Sequence, residues 1–372
     1  MRESKRIFMK YFTLFLLLFS LHANAILDFE DASSPELVTS ARALAMGNAF
    51  MGKADDGWAA FYNPAGLGSV RGLQFHIFNL HLESNAGFLK ITGDGPFTDS
   101  MANYTSAFKA TGLKALHTEN PGYTSHARVQ LFPNVTYRGI SLGFMYVQQN
   151  RARLRTEIAD FEIGERIDSG PVFALSLSLF GGVVKFGATA ISLTRKELLK
   201  DFTTAEPVSI TVDDDYTQGT MTHITGGFRL TVPMTALPTL SVVGRNSADV
   251  EFGLPEFSGL PTPIPATMDA SLSITPNLGK TARMHVEAGI KDSTNAYESV
   301  PTVRKTVLGV EFDYKRAMFI RFGYGDGWGS AGVGARSKSF AFDLTSYAIE
   351  GSVDGVREEE DRRFAISFSG GF

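Results

Sequence analysis

The sequence contains no cysteine. That excludes a disulfide framework, a thiolate metal site, a cysteine nucleophile and a lipidated N-terminal cysteine. Positive charge is scarce once residues 1–25 are set aside. They hold four of the 35 Lys and Arg but one of the 39 Asp and Glu, which leaves 31 bases against 38 acids. Such a chain lacks the basic face that a nucleic-acid binder needs. His76, His81, His117, His126, His223 and His285 show no paired ligand spacing, so no metal is expected. No Ser–His pairing can be read from the order of residues. The chain is expected to be neither an enzyme nor the holder of a cofactor. Beyond residue 25 no apolar run is long enough for a membrane helix.

What is present begins with an export pattern. Arg2, Lys5, Arg6 and Lys10 make a basic start, YFTLFLLLFSL (11–21) a short apolar run, and Ala23-Asn24-Ala25 a small-residue cleavage pattern. Residues 1–25 are therefore expected to be a signal peptide, with Met9 as a second candidate initiator. The chain closes on RRFAISFSGGF, where Phe364, Ile366, Phe368, Gly370 and Phe372 share one strand face. This ending, with Phe368 and Phe372, resembles the assembly signal that bacterial outer-membrane barrels present to the barrel assembly machinery.

Between the two ends, period-two alternation marks segments of roughly ten residues, as membrane barrel strands do. Phe173, Leu175, Leu177 and Leu179 oppose Ala174, Ser176 and Ser178. Leu308, Val310, Phe312 and Tyr314 oppose Gly309, Glu311 and Asp313. Strands are expected near 71–83, 126–137, 139–155, 170–180, 183–195, 218–232, 238–250, 266–275, 281–291, 303–314, 316–325, 329–336, 339–349 and 362–372. Tight connections at Arg138, Gly181-Gly182, 233–237, 276–280, Lys315 and Ser337-Lys338 alternate with longer ones, the short 326–328 excepted. Short turns at one end and long loops at the other are the asymmetry of a membrane barrel. Lipid tolerates no unpaired strand edge, so the sheet must close. The expected fold is all-β: a transmembrane antiparallel β-barrel of about 14 strands over 71–372. It would sit in the outer membrane with both termini periplasmic.

Residues 26–70 precede the first strand and are free to occupy the barrel mouth. Within them, ARALAMGNAFMGKADDGWAAFYNPAGL carries Arg42, Gly47, Asp55-Asp56 and Asn63-Pro64-Ala65-Gly66. This motif resembles the N-terminal signature of the FadL-like outer-membrane superfamily, which includes long-chain fatty acid and aromatic hydrocarbon channels and PorV-type proteins. The resemblance implies a hatch folded into the lumen, with these residues as hatch or gate. It implies passive uptake of hydrophobic small molecules such as long-chain fatty acids, released sideways into the membrane. The PorV-like alternative is a barrel that serves protein secretion or surface assembly through protein partners. Local chemistry suits a plug. Ala and Gly let backbone pass close to a wall, Pro64 forces Asn63 extended, and the acidic pair can take an Arg or cap backbone N–H groups. A moving gate and a static stopper both fit.

Three further groups are candidates for binding ligand. Arg151, Arg153 and Arg155 share the lumen parity of Gly143 and Met145. They would pair with hatch carboxylates, attract an anionic head group, or stay solvated. In residues 98–116, Met101, Tyr104, Phe108 and Ala115 suggest one helix face. In EFGLPEFSGLPTPIPA, Phe252, Leu254, Phe257 and Leu260 sit among prolines. Exposed apolar clusters mark binding surfaces, although these loops could equally pack on each other. Asp213-Asp214-Asp215 reads as a solvated acidic loop.

Overall fold

A computed structural model of the chain describes residues 36–371, apart from 71, 94–96, 108, 156–159, 247–249 and 353–354. The expected signal peptide and Phe372 lie outside the described residues. Fourteen strands make one closed antiparallel barrel. They are β1 Leu73–Asn85, β2 in two pieces (Thr124–Leu131 and Asn134–Tyr137), β3 Ile140–Arg155, β4 Asp160–Leu179, β5 Val184–Thr203, β6 Tyr216–Thr231 and β7 Thr239–Arg245. There follow β8 Thr267–Ile274, β9 Ala282–Ile290, β10 Thr306–Tyr314, β11 Met318–Gly325, β12 Trp328–Arg336, β13 Phe340–Glu350 and β14 Glu360–Gly371. The barrel closes where β1 pairs with β14 on one side and β2 on the other.

Alternation decides which face each residue takes. Phe173, Leu175, Leu177, Leu308, Phe312, Ile320 and Phe322 point outward and are exposed, while Ala174, Glu311, Asp313 and Arg321 point inward and are buried. Apolar side chains in a belt around the outer wall would be costly in water, at about 1.5–3 kcal/mol each, and suit a lipid surrounding. Among the described residues no helix is long and apolar enough to cross a membrane.

The short turns have the backbone that two-residue hairpins need. Arg138-Gly139 and Lys315-Arg316 both take positive φ, at 46° and 89° and at 54° and 55°. At the long-loop end the chain builds upward. β4 and β5 run to 20 residues each, a hairpin about 65 Å long at ~3.3 Å per residue. A lipid-facing band is about 25 Å tall, so this hairpin rises well beyond it. Residues 160–169 and 196–203, expected as loop, are therefore strand. Their outward Gln148, Glu165 and Lys196 neighbours are polar like the inward Arg166, Asp168, Arg195 and Glu197, so alternation of polarity fades where no lipid selects it. Helices Ala86–Thr92, Phe97–Ser106 and Ala110–Glu119 cap this end. Phe88, Ile91, Leu113 and Leu116 pack there on Leu154, Phe161, Ile163 and Phe202.

Candidate functional site

Residues 36–70 lie inside the cylinder, and none of them is exposed. Two short helices, Ala41–Leu44 and Ala59–Tyr62, and the 3₁₀ turn Pro64–Ser69 give the segment its shape. Arg42 is its hub. One terminal nitrogen of its guanidinium donates to Asp55 at 2.8 Å and to Asp56 at 2.9 Å. Nε and the other terminal nitrogen fork onto Glu311 of β10 at 3.0 and 3.1 Å. Arg321 reaches the same Glu311 at 2.7 Å and Asp343 at 2.5 Å, and Lys53 stands 3.5 Å from Glu311. The acidic pair thus meets an Arg of its own segment, with Arg336 of the wall 3.7 Å from Asp56. Burial pushes the Asp55 carboxyl up. Arg42, Lys53 and Arg336 outweigh it and hold Asp55 well below the usual carboxylate range.

The NPAG corner is fastened separately. Asn63 is extended at φ −163°, as Pro64 requires. Its side-chain oxygen accepts from Ala65 N–H at 3.1 Å, and its NH2 donates to Met51 O at 3.1 Å. Ser176 donates to Ala65 O, and Arg229 to Met51 O and Ala54 O. Backbone runs so close to the wall that side chains would not fit. A Cβ on Gly187 would lie 2.2 Å from Pro64 C, and one on Gly323 2.0 Å from Met46 C. Gly47 takes φ +60° against Tyr324 and donates to Ser330. Glu36, which sequence reasoning missed, binds Arg245 at 2.8 Å, Lys291 and Asn48. A lone acid ahead of the motif carries no sequence signal.

Other candidate residues fall elsewhere. Arg151 donates to His126 at 3.2 Å, Arg153 lies 3.8 Å from Glu359, and Arg155 pairs with Asp160 and Glu162. These partners belong to the wall and its loops. Phe252 is buried in the lumen cluster beneath Arg195, whereas Leu254, Phe257 and Leu260 are exposed. The expected helix over 98–116 is two helices. The side chains of Met101 and Tyr104, and all of Phe108, lie outside the described residues. Phe368 stacks on Phe78 at 5.3 Å across the β1–β14 seam.

Two interior features were not expected. One is an apolar sector of wall. Met145, Val147, Val172, Ile191, Leu193 and Met221 point inward from β3–β6 and pack with Phe50, Trp58, Phe61 and Tyr62 of the hatch. Phe252 and Ile264 extend this cluster at the long-loop side, and Phe132 extends it at β2, 4.8 Å from Phe61. Inward parity of apolar residues on β3–β6 was the available signal. The other is a cavity of about 320 Å³ between hatch and wall near the 337–338 turn, lined by Arg42, Asp56, Trp58, His76, Arg336 and Phe340 among others.

A closed strand cylinder with an apolar outer belt, a buried N-terminal plug and a helical cap is a plugged membrane β-barrel. Among solved structures the chain is similar to the Pseudomonas putida toluene transporter TodX, at 11% identity over 90% of this chain and 98% of that one, with a TM-score of 0.50. It is also similar to a Pseudomonas aeruginosa FadL homologue, at 13% identity over 92% and 99%, with a TM-score of 0.48. The TodX match shows a shared fold, and this is the fold implied by the resemblance of the hatch motif. No protein-family model and no curated protein sequence matches the chain.

Proposed function

We propose that this protein is an outer-membrane channel for passive uptake of hydrophobic small molecules such as long-chain fatty acids, with residues 36–70 as the gate and both termini in the periplasm. The observation that supports this is the apolar sector on β3–β6. A polar porin has a wet lumen throughout, and a stopper held by ion pairs needs no apolar seam. Here such a seam runs from Phe252 and Ile264 under the loops, along the face between hatch and wall, to Phe132. At Phe132 the wall's ladder is interrupted. The β1–β2 ladder skips Ile77, Phe78 and Asn79, Ile77 is an extra residue in β1, and Pro133 has no N–H to donate. That point serves as the sideways exit into lipid. The shared fold fits this reading, since TodX is a toluene transporter.

Extraction of the full chain in mild detergent, followed by mass spectrometry of its organic extract, tests the reading. A fatty acid or hydrocarbon near one per chain is expected. Stoichiometric protein partners with no apolar compound would assign the barrel to secretion or surface assembly instead.

A further inference from the structure

We propose that the β1–β14 seam carries a serine hydrolase site for small carboxylic esters, with Ser367 as nucleophile, His81 as general base and Glu83 as the group that orients the base. Antiparallel register puts His81 opposite Ser367 and Asn79 opposite Ser369, and His81, Ser367, Glu83 and Asn79 all face the lumen. Ser367 Oγ lies 2.8 Å from His81 Nδ1, and His81 Nε2 lies 3.2 Å from Glu83 Oε2. These are the contacts that nucleophile, base and orienting acid require, in that order.

The polarity of the hydrogen bonds is also that of a nucleophile. Ala41 N–H donates to Ser367 Oγ at 3.4 Å, which leaves the hydroxyl hydrogen for His81 Nδ1. The other ring hydrogen then sits on Nε2 and points at Glu83, a carboxylate that only accepts. Thr39 Oγ1, at 3.5 Å from the same nitrogen, is at the limit of hydrogen bonding. Glu83 is itself fixed. His126 Nε2 donates to its second oxygen at 2.7 Å, and Arg363 stands 3.6 Å away.

The hydroxyl also has room in front of it. Ser367 and Asn79 both line the 320 Å³ cavity beside the hatch. Asn79 is buried, and its amide oxygen has no hydrogen-bond partner among the described residues. With the amide turned so that its NH2 rather than its oxygen faces the cavity, this side chain would donate to an oxyanion. Cavity size restricts the substrate to a small ester.

In the first step Ser367 Oγ adds to the ester carbonyl carbon while His81 Nδ1 takes the serine proton. The bond from carbon to the alcohol oxygen breaks, and His81 returns the proton to the departing alcohol. In the second step water adds to the acyl carbon and gives a proton to His81. The bond to Ser367 breaks, Ser367 recovers its proton, and a carboxylic acid leaves. The site rests on wall geometry and stands or falls independently of the uptake reading.

The test uses the full chain in detergent, its folded state verified by heat-modifiable gel migration. A fluorophosphonate probe should label Ser367, located by peptide mass, and p-nitrophenyl butyrate should be hydrolysed. Ser367→Ala should abolish labelling and lower kcat by about 10³-fold or more. Glu83→Gln should lower kcat with little change in KM and alter the pH profile, while Ser192→Ala on the outer wall changes neither. Folded wild-type chain that takes no label at Ser367 overturns the proposal even where the variants fail to fold. So does a folded Ser367→Ala chain that hydrolyses at the wild-type rate.

Discussion

Arg42 meets three carboxylates, of which Glu311 is as buried as the guanidinium itself. Removing one partner of such a network leaves the others buried without compensation, a loss of about 3–5 kcal/mol and well above the ~1 kcal/mol of a surface pair. Arg42→Ala should therefore loosen the hatch. The readouts are more frequent channel openings in a planar bilayer and faster trypsin cleavage at Lys53. Arg42→Lys should rescue only part of the effect, because an ammonium cannot fork onto Glu311. A second residue-level expectation concerns acid. A carboxyl held below its ordinary value contributes stability that is present above its unfolded pKa, near 4, and lost only as pH falls through the lowered folded value. Asp55 is such a group. Closure should be unchanged from pH 8 to pH 5, and openings that rise sharply in that interval would show that Asp55 is not what holds the latch.

At the scale of elements, the wall glycines set how near the hatch lies. Gly187→Ala or Gly323→Ala places a methyl far inside van der Waals contact with hatch backbone, so each should displace the segment and raise conductance. Gly244→Ala meets open space and should leave conductance unchanged. All the expected strands are found, most within three residues of their expected ends, because lipid imposes strict alternation on the wall. Alternation carried no information above the lipid, where β4 and β5 continue with polar residues on both faces. For EFGLPEFSGLPTPIPA the sequence left an exposed cluster and a packed loop both open, and the structure divides the segment between them. Phe252 turns into the lumen, whereas Leu254 does not. The motif residues Arg42, Asp55 and Asp56 do gather at one point. Their wall partner Glu311 was legible only as a lumen-facing acid, since pairing across 269 positions has no trace in sequence.

For the whole molecule, cylinder and plug are separable. Every wall strand has its two neighbours without help from residues 36–70. Deletion of 26–66 should leave a folded, heat-modifiable barrel with a large constant conductance. Unchanged single-channel conductance would contradict the plug.

The seam between first and last strands has one more consequence. Ala41 and Leu44 pack on Tyr347, Ile349 and Ala365, so the N-terminal segment lies against strands made last. Once β1 and β14 are zipped together, the segment is enclosed by a wall with no free edge. Biogenesis thus has two orders of events open to it. The plug reaches its seat either before the final ladder forms or afterwards through an open end of the cylinder. A chain that closes first would be a topological isomer of the same sequence, with its first residues outside a cylinder they can regain only through an end.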